Sequence, residues 1–173
     1  QRKAIERRLF KLVAEPPPPI PVPFNTIDHI ETFASPHMEG ALKTVAKLTL
    51  NTGTSLYIAH DSVVKYTGDA IVNAANEGCI GGGGIDGEIN FLGGKFLHDA
   101  RRALPLIDGK RCDTGDAKIT LSGDLPSNYV IHAVGPMFHS YEHQGDALEM
   151  LKKAYMNALL RAPKIHGPPL QRR

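Results

Sequence analysis

The residues best suited to chemistry lie in one short segment, DAIVNAANEGCIGGGGIDG, at residues 69–87. An apolar run at residues 70–72 is typical of a buried strand, and Asn76, the glycines at 81–84 and Asp86 come after it. Consecutive glycines reach positive φ and let backbone amides approach an anion, while a helix start adds unpaired amides and a positive dipole end. The segment therefore predicts a phosphate or diphosphate site, with Asn76 and Asp86 beside it to hydrogen-bond sugar hydroxyls.

Two familiar nucleotide-binding loops are excluded at this segment. No Gly-Lys-Ser/Thr follows the glycines, and the spacing differs from the dinucleotide-binding fingerprint. A plain turn, with Asp86 only capping the next helix, is the alternative interpretation. Asn76 and Asp86 on either side of the glycines favour the ligand site over that alternative.

The composition narrows the class of protein. The chain has 173 residues, 42% of them hydrophobic and 22% charged, with a net charge of +2, so one domain without a strong nucleic-acid signal is expected. Cys79 and Cys112 have no metal-ligand spacing, and both are interpreted as reduced thiols of an intracellular protein. His98 and His132 are interpreted as structural. We expect no metal, no cofactor, no membrane span and a cytoplasmic or nuclear location.

Alternating strands and helices must position the glycine segment. Strands are predicted at residues 55–59, 69–74, 117–121 and 129–134, and a weak helix at 39–47. A helix after the glycines is predicted to carry, on one side, Ile89, Leu92, Phe96, Ala100 and Leu104. Another helix, with a capping box at Asp146 and Glu149, is predicted to carry Leu148, Leu151, Tyr155 and Leu159. This alternation predicts an α/β domain with a largely parallel sheet.

The chain divides into four predicted regions. Residues 1–24 combine a short basic helix with a proline-rich linker, and the helix is alternatively a mitochondrial targeting segment. Residues 25–47 are an N-terminal extension, and residues 48–162 are the α/β domain. Residues 163–173 are a divergent tail rich in proline and basic residues.

The glycine segment resembles the signature of macrodomains of the MacroD type, which reads N-A-A-N, then a glycine-rich loop, then V-D-G. LYIAHDSVV at residues 56–64, CDTGDAKIT at 112–120 and LPSNYVIHAVGP at 125–136 are also similar to that family, in the same order. The resemblance covers roughly residues 51–162. It implies a macrodomain-like three-layer α/β/α fold with a mixed, largely parallel sheet.

The resemblance also implies a role for individual residues. Asp61 would accept a hydrogen bond from the adenine amine, with the backbone of Ser62 beside it. Asn76 would hold the distal ribose, and Asp86 would lie near the anomeric carbon, where an ordered water attacks the ester. The remaining ligand-binding positions would be Ala74, Gly82, Gly83, Gly84 and Ile85, of which the last four would surround the diphosphate and distal ribose.

The implied activity is hydrolysis of mono-ADP-ribose esters on protein Asp or Glu and of O-acetyl-ADP-ribose, with Asn76 and Asp86 as catalytic residues. ADP-ribose and mono-ADP-ribosylated proteins would be the partners. Such an ester is already activated, so holding the sugar and positioning a water suffices without a metal. Two alternatives stay open: a reader module that binds ADP-ribose without turnover, and an inactive truncated isoform.

Two departures from the family pattern matter. Asn90 stands near a position where MacroD proteins commonly have a histidine. After Ala162 the family continues with a strand and a second loop of the S-T-G-x-F/Y-G-Y-P kind, whereas this chain reads PKIHGPPLQRR. We therefore expect a domain that is incomplete at its C-terminus, that binds ADP-ribose weakly or not at all, and that unfolds with poor cooperativity.

Overall fold

The computed structural model describes residues 27–39 and 42–162. Within those ranges the chain forms six strands, three helices and two single turns of 3₁₀ helix at residues 63–65 and 138–140. The strands are β1 (Ile27–Glu39), β2 (Leu42–Leu50), β3 (Ser55–Ala59), β4 (Ala70–Ala75), β5 (Ala117–Leu121) and β6 (Tyr129–Val134). The helices are α1 (Gly84–Leu92), α2 (Gly94–Arg102) and α3 (Gln144–Arg161).

The strands form two sheets. β1, β2 and β3 pair antiparallel in that order, and the second sheet has the order β4-β6-β5. The weak helix predicted at residues 39–47 is wrong, because β2 occupies most of that segment and pairs on both sides with β1 and β3. Pairing with distant segments overrides a local preference of this kind. The predicted boundary between residues 47 and 48 falls inside β2.

Helices cover both faces of the second sheet. Successive residues of a strand point to opposite faces. On β6, Val130 packs in a cluster with Ile89 of α1 and Leu97 of α2, whereas Ile131 packs in a cluster with Ala158 of α3. This arrangement confirms the α/β fold with helices on both sides of a mixed sheet. In this sheet the β4–β6 pair is parallel and the β5–β6 pair is antiparallel, so the sheet is less parallel than predicted.

The helix predicted after the glycines is interrupted. Gly94 has a φ of 63°, in the left-handed region, and separates α1 from α2. The interruption changes the phase of the apolar stripe, so Leu97 is buried, whereas Leu92 and Phe96 are 44% and 56% exposed. The prediction of one continuous apolar face was therefore wrong, although Ile89 is buried as expected.

The predicted helix in residues 144–161 is confirmed, but its apolar face differs from the prediction. The helix begins at Gln144, so Asp146 lies in the first turn and does not cap the helix. The residues buried against the sheet are Ala147, Ala154, Ala158 and Arg161. Small residues on this face allow the helix to lie close to the sheet, and they leave Leu148, Tyr155 and Leu159 exposed.

No helix among residues 27–39 and 42–162 is long and apolar enough to cross a membrane. The predicted N-terminal helix and linker at 1–24 and the tail at 163–173 lie outside the described residues.

Candidate functional site

The glycine loop, residues 76–83, joins the carboxyl end of β4 to the start of α1. The side chain of Asn76 gives the loop its shape: its Oδ1 accepts from the Cys79 amide at 3.1 Å, and its Nδ2 donates to the Gly81 carbonyl at 3.0 Å. Gly81 and Gly84 have φ values of 134° and 58°. These are conformations that side chains disfavour, so glycine is favoured at both positions.

Asp86 lies in the first turn of α1 and is buried. Its Oδ1 accepts two hydrogen bonds of 2.7 Å, one from Nδ2 of Asn73 on β4 and one from Nη2 of Arg101 on α2. The contact with Arg101 is an ion pair whose two side chains are 4% exposed or less. The other oxygen, Oδ2, is buried and has no hydrogen-bond partner among residues 27–39 and 42–162.

Gly82 lies close to the side chains of both predicted catalytic residues, Asn76 and Asp86. A Cβ atom added to Gly82 would lie 3.0 Å from Asp86 Oδ2 and 3.3 Å from Asn76 Nδ2. Gly83 caps α1 without any side chain, so no side chain satisfies the amides of the first helical turn. Asn76, Gly82, Gly83 and Asp86 thus lie together at the N-terminus of α1.

A buried hydrogen-bond chain lies beneath Asp86. Nδ2 of Asn73 lies 3.1 Å from Nδ1 of His132, and Nε2 of His132 lies 2.9 Å from Oγ1 of Thr120. Burial, together with the nearby Arg101 charge, lowers the pKa of His132 to about 3. A neutral imidazole ring whose Nδ1 accepts from Asn73 and whose Nε2–H donates to Thr120 satisfies both of these hydrogen bonds. His132 is fully buried, in agreement with the structural role expected for it.

Sequence reasoning missed Asn73 and Arg101 as site residues. Asn73 and His132 are direct neighbours in the β4–β6 register, and each interrupts an otherwise apolar strand. A polar residue at the same level in two buried strands was the available signal. No comparable signal marked Arg101. It is followed by a second arginine, Arg102, which is exposed, and residue type alone does not show which of the two is buried.

Asp61 and Ser62 follow β3 and line a different part of the surface. They line a cavity of about 480 Å³ together with Lys43, Ala59, His60 and Lys65. Oδ1 of Asp61 accepts from Lys65 Nζ at 2.7 Å and from the Ser62 amide at 2.8 Å. The Lys65 ammonium and the Ser62 amide lower the pKa of the Asp61 carboxyl. Oγ of Ser62 donates to Glu88 of α1 at 3.4 Å, which connects this cavity to the helix of the glycine loop.

Two further predicted ligand residues have side chains directed elsewhere. Ala74 follows Asn73 on β4, so its side chain is on the opposite face of the sheet, where it is exposed. Ile85 packs half-buried against the core cluster that contains Ile89. A ligand at the glycine loop would contact these two residues through their backbone.

The two cysteines are buried in one apolar cluster with Leu104 and Val134. Cys79 belongs to the glycine loop, and its φ of 52° is unusual for a residue with a side chain. The hydrogen bond to the Cys79 thiol, together with burial, raises the pKa of Cys112. The expectation that Cys79 is a small buried residue is confirmed. Within the described ranges no three metal-ligating side chains lie close enough to hold a metal ion.

The fold and the site define an α/β domain whose glycine loop, at the carboxyl end of a strand, is suited to a phosphate. Comparison with known families identifies the class: the Macro domain family matches residues 72–166, which is more than half of the chain. The chain belongs to the Macro domain family.

Curated relatives and solved structures agree with this assignment. A Macro domain-containing protein in the gbd 3'region of Cupriavidus necator is 44% identical over 114 residues, covering 66% of this chain and 64% of the relative. The O-acetyl-ADP-ribose deacetylase of Escherichia coli K12 is 42% identical over 106 residues, covering 61% and 58%. The Oceanobacillus iheyensis macrodomain with ADP is 32% identical, with a TM-score of 0.58, covering 76% and 62%. The chain thus spans less than two thirds of the length of each.

Proposed function

We propose that this chain binds ADP-ribose through the glycine loop and hydrolyses esters at its distal ribose. In this proposal the amides of Gly82, Gly83 and Gly84 and the start of α1 bind the diphosphate. Asp61 and Ser62 bind the adenine, and Asn76 with Asp86 binds the distal ribose. The ADP bound to the Oceanobacillus iheyensis macrodomain contains the adenine and diphosphate that these residues would contact.

The observation that carries the proposal is the environment of Gly82. Gly82 has no Cβ atom, and the space that a Cβ would occupy is close to two polar atoms. One is Oδ2 of Asp86, which has no hydrogen-bond partner among the described residues, and the other is Nδ2 of Asn76. A buried acceptor without a partner is unfavourable by about 1–3 kcal/mol, so native proteins rarely retain one. A water or sugar hydroxyl that donates to Asp86 Oδ2 would remove this penalty. The amides at the helix start would bind the anionic group beside it.

The proposed reaction needs little beyond positioning. Hydrolysis of O-acetyl-ADP-ribose, or of an ADP-ribosyl ester on protein Asp or Glu, consumes one water and yields ADP-ribose and a free carboxylic acid. Asp86 Oδ2 would accept a hydrogen bond from that water and orient it towards the ester. The name of the Escherichia coli relative, O-acetyl-ADP-ribose deacetylase, supports this reaction class. Mono-ADP-ribosylated proteins are the proposed macromolecular substrates.

Binding can be tested by NMR titration of the 173-residue chain with ADP-ribose. The largest amide shifts should fall on residues 76–86. Gly83→Glu should abolish them, because the new carboxylate would repel the diphosphate in a position that is otherwise open. A titration that leaves those amides unmoved in the folded wild-type chain contradicts the proposal.

Turnover can be tested by measuring the acetate released from O-acetyl-ADP-ribose and the label released from an auto-ADP-ribosylated protein. Asp86→Ala should abolish release. Asp99→Asn is the matched control, because Asp99 is an exposed helical aspartate that pairs with Lys95 on the surface of α2. Binding of ADP-ribose without release of either product would identify a reader module instead of an enzyme. Release that is equal in wild type and Asp86→Ala would remove Asp86 from the mechanism.

A further inference from the structure

Arg101 connects three parts of the proposed site. Its Nε donates to the Cys79 carbonyl in the glycine loop at 2.6 Å, and its Nη2 donates to Asp86 Oδ1 at 2.7 Å. Its Nη1 lies 3.5 Å from Oδ1 of Asn90, one turn further along α1. The side chain itself is fully buried on α2. One guanidinium therefore joins the loop, the first turn of α1 and α2.

Stability alone does not account for a buried arginine at this point. Removing two charges from water is unfavourable, and a buried ion pair is often no more stable than apolar residues of the same volume. What a guanidinium adds is geometry, since its planar donors fix the direction of the groups that accept from them. The groups fixed here are the carbonyl of the glycine loop and the carboxylate of Asp86.

The contacts of Asp86 are divided unequally between its two oxygens. Oδ1 accepts from both Arg101 and Asn73, whereas Oδ2 accepts from no group and faces Gly82. Rotation of the carboxylate would break both bonds at Oδ1. We infer that Arg101 is a positioning residue for Asp86: with Asn73 it occupies Oδ1 and so directs Oδ2 towards the glycine loop, where the ester would be attacked. This inference rests on the proposed function.

The inference predicts different effects on the affinity for ADP-ribose and on the rate of ester hydrolysis. The diphosphate would be held by backbone amides of the loop and the start of α1, which do not include Arg101. The orientation of Oδ2 would matter most for the water that attacks the ester, whereas the distal ribose would also be held by Asn76. Loss of the guanidinium should therefore lower kcat more strongly than it lowers the affinity for ADP-ribose.

Arg101→Lys tests the inference, because lysine keeps the charge and loses the planar set of donors. Arg161→Lys is the matched control. Arg161 is also a buried arginine, on α3 at the opposite side of the sheet. Its Nε donates to the backbone carbonyl of Ala117, and its Nη2 lies 3.6 Å from Oδ1 of Asp116. For acetate release from O-acetyl-ADP-ribose, Arg101→Lys should lower kcat by about 10- to 100-fold. Arg161→Lys should leave kcat unchanged.

The outcomes are distinguishable. Arg101→Lys with wild-type kcat overturns the inference and leaves the proposed function intact. An equal loss of kcat in both variants also overturns it, because the effect is then one of general stability. A wild-type chain that neither binds nor hydrolyses removes the proposed function, and the inference with it.

An NMR measurement on the wild type decides the question if Arg101→Lys does not fold. The Nε–H signal of Arg101 should exchange slowly with solvent and shift on addition of ADP-ribose, because it shares a guanidinium with the nitrogen that holds Asp86. The Nε–H signal of Arg161 should not shift. An Arg101 signal that ADP-ribose leaves unmoved, under conditions where the loop amides move, overturns the inference.

Discussion

Replacement of Gly82 by alanine is the most direct test of the geometry at the glycine loop. The new Cβ would lie 3.0 Å from Asp86 Oδ2 and 3.3 Å from Asn76 Nδ2, which is tighter than ordinary van der Waals contact. Neither partner can retreat freely: Arg101 holds Asp86 at 2.7 Å, and Asn76 is held at both ends of its amide. Overpacking of this kind is unfavourable by about 1–3 kcal/mol, so we expect a loss of stability in that range.

Gly83→Ala is the matched control for stability. A Cβ at Gly83 meets no atom within 4 Å, and its φ of −90° is one that alanine adopts readily. Alanine is a poorer N-cap than glycine, which lowers stability slightly, but it also reduces the conformational entropy of the unfolded state, which raises stability. The free energy of unfolding should therefore change by no more than about 0.5 kcal/mol. Urea unfolding followed by circular dichroism measures both variants, and hydrogen exchange in the peptide containing α1 reports the local effect. Equal stability of the two variants would refute the close contact among Asn76, Gly82 and Asp86.

Three further predictions concern pH, thiol reactivity and surface. Because burial lowers the pKa of His132 from 6.5 to about 3, its neutral form stabilises the fold above pH 6.5, and this contribution is lost as the pH falls towards 3. The free energy of unfolding measured with urea should drop by up to about 1.4 kcal/mol per pH unit in that window, and His132→Gln should have a flatter profile; equal profiles would refute the assignment. Cys79 and Cys112 are buried, so iodoacetamide should label them slowly until the chain unfolds, and native labelling as fast as that of glutathione would contradict this burial. Tyr155 and Leu159 are 67% and 63% exposed, so replacing both by lysine should reduce binding of a hydrophobic dye without loss of helicity, and unchanged dye binding would place the apolar surface elsewhere.

The local sequence pattern predicted the three strands of the second sheet and one strand, β3, of the first. β3, β5 and β6 have the predicted bounds, and β4 is displaced by one residue. These strands have short runs of β-branched and apolar residues between turn residues, so local signals suffice. β2 was missed because its sequence, LKTVAKLTL, has a mixture of residues that also suits a helix, and its pairing partners lie elsewhere in the chain.

The sequence pattern predicted where helices occur better than it predicted which of their residues are buried. The left-handed backbone at Gly94 changes which residues face the sheet, and periodicity through a glycine pair cannot show that change. The buried face of α3 consists of alanines, whereas the search for an apolar stripe selected the larger residues Leu148, Tyr155 and Leu159. Close packing against the sheet selects by size as well as by hydrophobicity.

At the site, the segment that contains the glycines was predicted and the contacts of its buried carboxylate were not. The structure brings Asn76, Gly82 and Asp86 together, and all three come from that segment. Asn73 lies in the same segment, and its position opposite His132 in the buried sheet was the signal for it. Arg101 enters from α2, and its contact with Asp86 depends on how the helices pack, so it is visible only in the folded chain.

The buried chain from Thr120 through His132 and Asn73 to Asp86 has a direction. Asn73 donates to both Asp86 and His132, and His132 in turn donates to Thr120, so a side chain with reversed donor and acceptor positions at one point leaves an unpaired atom at the next. During evolution these positions should therefore change in concert rather than independently. A relative with a different residue in place of His132 should carry a compensating change on a neighbouring strand, at Asn73, 59 residues away, or at Thr120, 12 residues away.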